Sequence, residues 1–274
     1  MPAQSVTPRL SRADRSSPVG RKHDSGIPLL DAHPDTPSAA LAERLQTHRP
    51  FTVFAFVLLL GYVLLAAATI AVGFLLVDVL LPIHAIGHED EAVNTWLAAH
   101  RTGTRNDLSF VGSSLGDIPV LPVLVALVVL VAAVLRRWRV VGFVLGAILV
   151  EVATYRIASM IVHRQRPTVP RLDHLPTNQS FPSGHVAASF AVYVACALLV
   201  TSRFSQRWVH IVAWTIAVLL PLLVAASRMY RGMHHPTDAA SGALVGISAV
   251  AIALLATRAA DGASRLRAQD RKTA

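Results

Sequence analysis

Three short stretches hold residue types that could act together on an anionic group. They are Arg164-Gln165-Arg166-Pro167, then Pro182-Ser183-Gly184-His185, then Ser227-Arg228 followed by His234-His235-Pro236-Thr237-Asp238. Pro182 ends a loop, Ser183 suits an N-cap, and an apolar run begins right after His185. A helix start there offers unpaired backbone N–H groups and the positive end of a dipole, which together receive an anion. Gly184 lets an anionic oxygen approach the backbone, and His185 lies within reach of it. In the third stretch, Pro236 suits the first turn of another helix, which places Asp238 in that turn and His234 just ahead of it. An aspartate so placed can accept a hydrogen bond from one ring nitrogen of His234, fix its tautomer and leave the other nitrogen nucleophilic. His235 reads as a cap or an interface residue.

Arginine completes the set. A phosphoryl group in its transition state carries charge on three equatorial oxygens and needs fixed positive donors around it. Arg166 and Arg228 supply planar forks for those oxygens. Glu89, Asp90 and Glu91 are bunched, but read as a solvated loop rather than an oxygen cage for magnesium. Chemistry without a metal or other cofactor is therefore expected.

These residues must be positioned by apolar rods. The chain has 274 residues, 53% of them hydrophobic and 15% charged, with a mean hydropathy of +0.51. That balance points to an all-α, polytopic membrane helical bundle. Residues 1–50 carry seven prolines and no hydrophobic period, and read as a disordered tail. Six apolar runs follow, at 51–81, 118–135, 140–163, 185–201, 208–226 and 237–257, each read as a transmembrane helix. The first outer loop holds a short interfacial helix at 91–100, with Trp96 at headgroup level. The organisation is thus a tail at 1–50, a six-span unit at 51–257 and a basic tail at 258–274.

Of the 25 Lys and Arg residues, 17 fall in the two tails and the 136–139 and 202–207 turns, against 7 in the loops 82–117, 164–184 and 227–236. The basic side faces the cytoplasm, so both termini are expected inside and the three reactive stretches outside, in a cell membrane. The formal net charge of +9 is accounted for by this bias. No basic stripe interleaved with aromatics suggests nucleic acid. The single cysteine, Cys196, excludes an intrachain disulfide and a cysteine-based zinc site.

On Pro182-Ser183-Gly184-His185 and on Ser227-Arg228-x5-His234-x3-Asp238, over about residues 90–257, the chain resembles the type 2 phosphatidic acid phosphatases, which share a core with vanadium haloperoxidases. The resemblance implies hydrolysis of a lipid phosphate or diphosphate, such as phosphatidic acid, phosphatidylglycerol phosphate or a polyprenyl diphosphate. It implies attack by His234 to give a phosphohistidine, with Asp238 orienting the ring. His185 would act as acid and then as base, and Arg166, Arg228 and the N–H groups near Ser183 and Gly184 would hold the phosphate. The family's first motif, Lys-x6-Arg-Pro, is incomplete: Arg166-Pro167 is present, but Ser159 stands at the lysine position.

Arg156, Ser159, His163 and Arg166 would share one stripe of a continuous helix, so Arg156 is the expected substitute for the lysine in binding phosphate. His163 and Arg164 are nearer alternatives, and Arg156 could instead pair with Glu151. Two rival readings follow from the same residues: a non-catalytic membrane protein that binds or carries a phospholipid, and a haloperoxidase, which the embedded core disfavours.

Overall fold

The computed structural model describes residues 27–117, 119–173 and 179–273. Among them the regular elements are helices: α1 (Pro37–Arg44), α2 (Pro50–Phe74, continued as a π-helical stretch to Leu80), α3 (His84–Ala99), α4 (Gly103–Ser114), α5 (Val120–Val134), α6 (Trp138–Ile161), α7 (Gly184–Arg203), α8 (Arg207–Tyr230) and α9 (Pro236–Thr273). The span Pro50–Leu80, α6, α7, α8 and the stretch Pro236–Arg271 of α9 are each long and apolar enough to cross a membrane. The run expected at 118–135 forms α5, apolar but only 15 residues long, about 22 Å at helical rise. It stops where Arg136 turns into the left-handed region at φ 55°, a common way to end a helix. The expected count of six spans rests on this short helix.

Around the bundle Leu59, Leu64, Leu130, Leu149 and Leu219 are exposed, an apolar belt far larger than soluble proteins show. Inside it, α9 packs against α2, α6 and α7. Helices in lipid gain nothing from burying apolar surface against each other, so close backbone approach and dispersion contacts decide the packing. Gly242 and Gly246 provide that approach. A Cβ on Gly242 would lie 2.4 Å from the Ser183 carbonyl oxygen, and one on Gly246 2.3 Å from that of Ala187. This small-xxx-small pair sets the starts of α7 and α9 side by side, and so sets the candidate site.

The ends of the chain differ from the expected tails. α9 does not stop near 257 but continues to Thr273. Residues 27–45 pack along that extension: Leu30 and Ala42 are fully buried with Ala259, Ala263 and Leu266. Asp261 accepts from the Ala32 N–H at 2.7 Å and pairs with Arg139 at 2.6 Å and Arg265 at 2.9 Å. Small residues at 259 and 263 leave a groove for α1, which explains why a proline-rich stretch orders there. The rest of the expected tail, residues 1–26, lies outside the described residues.

Candidate active site

Ser183 occupies the N-cap of α7, but its hydroxyl makes no capping bond. It is buried with no hydrogen-bond partner among the described residues. Its N–H instead donates to the Asp238 carbonyl at 3.1 Å, which joins the first turns of α7 and α9. N–H groups at the start of α7 that no side chain caps are able to receive an anion. Gly184 is required here for space: a Cβ would sit 2.9 Å from ring atoms of Tyr155. In the next residue, the His185 Nε2 lies 3.4 Å from Asp117 Oδ1, at the partly exposed rim of the site.

His234 precedes α9 and is buried. Its Nδ1–H donates to the Ser180 carbonyl at 2.8 Å. A carbonyl only accepts, so Nδ1 carries the proton and Nε2 keeps a lone pair. The backbone is held from the other side, since the Asn94 side chain donates to the His234 and Met229 carbonyls, both at 3.0 Å. Burial, then the Arg228 charge, hold the imidazole well below its ordinary pKa, and the opposing pull of Asp238 does not restore it. Arg166 and His185 also act on this ring through space. Charged or titratable side chains from all three stretches thus lie near enough to act on His234 through space.

The expected hydrogen bond from His234 to Asp238 is replaced by an indirect one. Asp238 accepts from the Ser180 hydroxyl at 2.5 Å, from the His235 N–H at 2.8 Å and from His235 Nδ1 at 3.2 Å, and pairs with Arg164. The backbone bond is half of a capping box, in which a third-position acid reaches back to the N-cap N–H. This geometry turns the His235 ring, not that of His234, toward the carboxylate. His235 then spans to Glu91 at 2.9 Å.

Arginines divide between binding and bracing. Arg228 is buried in the last turn of α8, where its Nη1 donates to Ser113 at 3.0 Å and to Asp173 at 2.9 Å. Its Nε and Nη2 are buried without partners among the described residues, two donors of the kind a phosphoryl oxygen requires. Arg166 Nη1 donates to the Met233 carbonyl. Burial, then the charge of Arg171, lower its pKa.

The stripe expected for Arg156, Ser159, His163 and Arg166 is broken, because α6 ends at Ile161. Beyond it the chain is extended, with a bridge from Gln165 to Gln179. Its period of two buries Val162, Arg164 and Arg166 while His163 and Gln165 face out. Arg164 is thereby placed between Asp90 and Asp238. Arg156 is exposed on α6 and shares no hydrogen bond or ion pair with Glu151 or the cluster among the described residues. The Ser159 hydroxyl donates to the Arg156 carbonyl at 3.0 Å.

Several bracing residues escaped the sequence reading. Asp90 and Glu91 do not form a solvated loop: Asp90 is buried against Arg164 and Thr237, and Glu91 accepts from Thr168 at 2.6 Å and 2.9 Å. Burial raises the Glu91 pKa, but the Thr168 and His235 hydrogen bonds outweigh it and leave the group lowered. Asp90 and Asn94 stand four apart on α3 with Trp96 exposed, so helical spacing was the available signal. Asp173 carried none. It pairs with both Arg228 and Arg231, and these contacts hold its carboxyl below the usual range despite burial. Among the described residues, no group of three or more His, Cys, Asp or Glu is arranged to hold a metal ion.

Residues 139–261 match the family model of the PAP2 superfamily. An undecaprenyl-diphosphatase of Sulfolobus acidocaldarius is 32% identical over 107 residues, covering 39% of this chain and 48% of that protein. A phosphatidylglycerophosphatase B of Bacillus subtilis is 34% identical over 91 residues, covering 31% of this chain and 42% of that protein. The chain thus spans about half the length of the curated relatives it matches. The crystal structure of a transmembrane PAP2-type phosphatidylglycerolphosphate phosphatase from B. subtilis superposes with a TM-score of 0.52, at 23% identity, over 82% of this chain and 98% of that one. That likeness establishes the fold, a helical bundle, and five of the chain's helical spans are long and apolar enough to cross a membrane.

Proposed function

With residues 139–261 matching the PAP2 superfamily, we propose that this chain is an integral membrane phosphatase that hydrolyses a lipid phosphate or diphosphate at the extracytoplasmic face. One observation carries the reading: His234 is buried with Nδ1 committed to Ser180, beside an Arg228 whose Nε and Nη2 have no partner among the described residues. A neutral imidazole with one free lone pair next to a charged fork is suited to attack phosphorus.

Nε2 of His234 attacks the phosphorus and the P–O bond to the lipid breaks, giving a phosphohistidine. His185 donates its proton to the departing oxygen. It then takes a proton from water, whose oxygen attacks the phosphohistidine and frees inorganic phosphate. Arg166, Arg228, Ser183 and the Gly184 N–H hold the oxygens through both steps, and no divalent ion is needed. Asp238 acts through Ser180, His235 and Arg164.

Six spans are counted with α5, both termini lie in the cytoplasm, and α3 lies at the outer interface. A lipid then enters laterally with its headgroup at the helix starts. The two curated relatives are named for a polyprenyl diphosphate and for phosphatidylglycerophosphate, which supports a terminal phosphate on a membrane lipid as the shared chemistry.

The test is free-phosphate release by purified protein from phosphatidic acid, phosphatidylglycerol phosphate and a polyprenyl diphosphate, with and without EDTA. Release that survives EDTA and vanishes in His234→Ala supports the reading. A protein that binds these lipids but releases no phosphate from any of them is a binder, and the proposal fails.

A further inference from the structure

At the end of the bundle opposite His234, an apolar groove of about 470 Å³ opens between α5, α6 and α7. Leu127 and Val131 line it from α5, Leu199, Val200 and Cys196 line it from α7, and Ile27 borders it. It follows α5 from Leu124 to Leu135, about 16 Å at helical rise, from mid-helix to the basic end. Two arginines stand at its mouth, Arg137 before α6 and Arg203 in the last turn of α7.

Their neighbours are already used. Arg139 pairs with Asp31 and Asp261, Arg265 pairs with Asp261, and Arg258 donates to the Leu29 carbonyl. Arg137 and Arg203 make no ion pair or side-chain hydrogen bond among the described residues, so two guanidinium groups face one apolar slot. A slot of this shape takes a hydrocarbon chain, and two unpaired cations at its mouth favour a headgroup of net negative charge over a zwitterionic one, whose own cation opposes them.

We propose that this groove binds one acyl chain of an anionic glycerophospholipid from the leaflet opposite the catalytic cluster, with the lipid phosphate on Arg137 and Arg203. The site is separate from the phosphatase chemistry and stands whether or not that reading holds. A phosphodiester lipid has no terminal phosphate to lose.

Cys196 is the chain's single cysteine and lines the groove, so its alkylation reports occupancy. The full chain is placed in phosphatidylcholine nanodiscs with increasing phosphatidylglycerol and treated with N-ethylmaleimide. Phosphatidylglycerol is expected to slow labelling at low mole fraction. Arg137→Gln with Arg203→Gln should require about thirtyfold more for equal protection, the factor for two surface arginine contacts. Val131→Trp, which fills the slot, should protect Cys196 in phosphatidylcholine alone, provided its thermal midpoint matches the wild type. Labelling indifferent to phosphatidylglycerol, or equal protection in the double variant, overturns the proposal. So does protection that follows protein density instead of lipid, which assigns the groove to a second copy of the chain.

Discussion

The His234 ring is held by the Ser180 carbonyl at 2.8 Å, while the Ser180 hydroxyl donates to Asp238 at 2.5 Å. The acid therefore steers the histidine through one intervening residue, and the backbone of that residue is pinned in turn by Ser180 N–H to the Arg164 carbonyl at 2.8 Å. Orientation by a carbonyl adds no negative charge at Nδ1, so the proposed nucleophile stays a neutral imidazole.

Two substitutions separate direct from indirect steering. Ser180→Ala removes the hydroxyl and keeps the carbonyl, so kcat should fall by no more than about tenfold with KM unchanged. Asp238→Ala strips Ser180, His235 and Arg164 of an acceptor at once, and should cost about 3 kcal/mol or more of stability besides lowering kcat. Thermal unfolding and steady-state kinetics on both proteins check this. An Asp238→Ala protein of unchanged stability would return the acid to a purely catalytic role.

His234→Ala should lower turnover by at least about a thousandfold. Rapid acid-free quenching of a single turnover with labelled substrate should find label on wild-type protein and none on this variant. A labelled His234→Ala protein would move the nucleophile elsewhere.

Arg228→Lys keeps one charge but loses the fork, and should reduce kcat/KM by about a hundredfold. Arg156→Ala should change it by less than about twofold, because that side chain is exposed away from the cluster. A large loss at Arg156 would restore it as the substitute for the absent lysine.

Stability should fall in two steps on acidification. The native His234 pKa is depressed, so below about 6.5 the unfolded chain takes up a proton that the folded chain refuses. Stability is therefore lost as pH drops through that value toward the native pKa. Asp173 and Glu91 are also depressed, and their contribution is lost as pH falls through about 4 and below. Unfolding midpoints between pH 5 and 8 should slope less in His234→Ala than in wild type.

Orientation is checked with a membrane-impermeant maleimide on intact cells in a Cys196→Ser background. Gly103→Cys, where an added side chain meets nothing within 4 Å, should label from outside. Phe204→Cys should label only after permeabilisation. The reverse pattern would turn the catalytic cluster to the cytoplasm.

Much of this molecule was legible in one dimension, because a bilayer demands long apolar helices and leaves runs visible in composition alone. Pro182, Ser183 and Pro236 mark helix starts by local backbone chemistry, so His185, His234 and Asp238 could be set near an anion site from spacing. Partner choice was local only in part. Asp238 meets His235 through the local turn that opens α9, but Ser180, which links Asp238 to His234, and Arg164 reach it only across the packed bundle. Arg164 rather than Arg156 reached the cluster because α6 stops at Ile161 and the extended chain beyond it changes the period from 3.6 to two. Asp173 and Asp117 come from loops with no periodic signal. Only the packed bundle brings their charges beside Arg228 and His185.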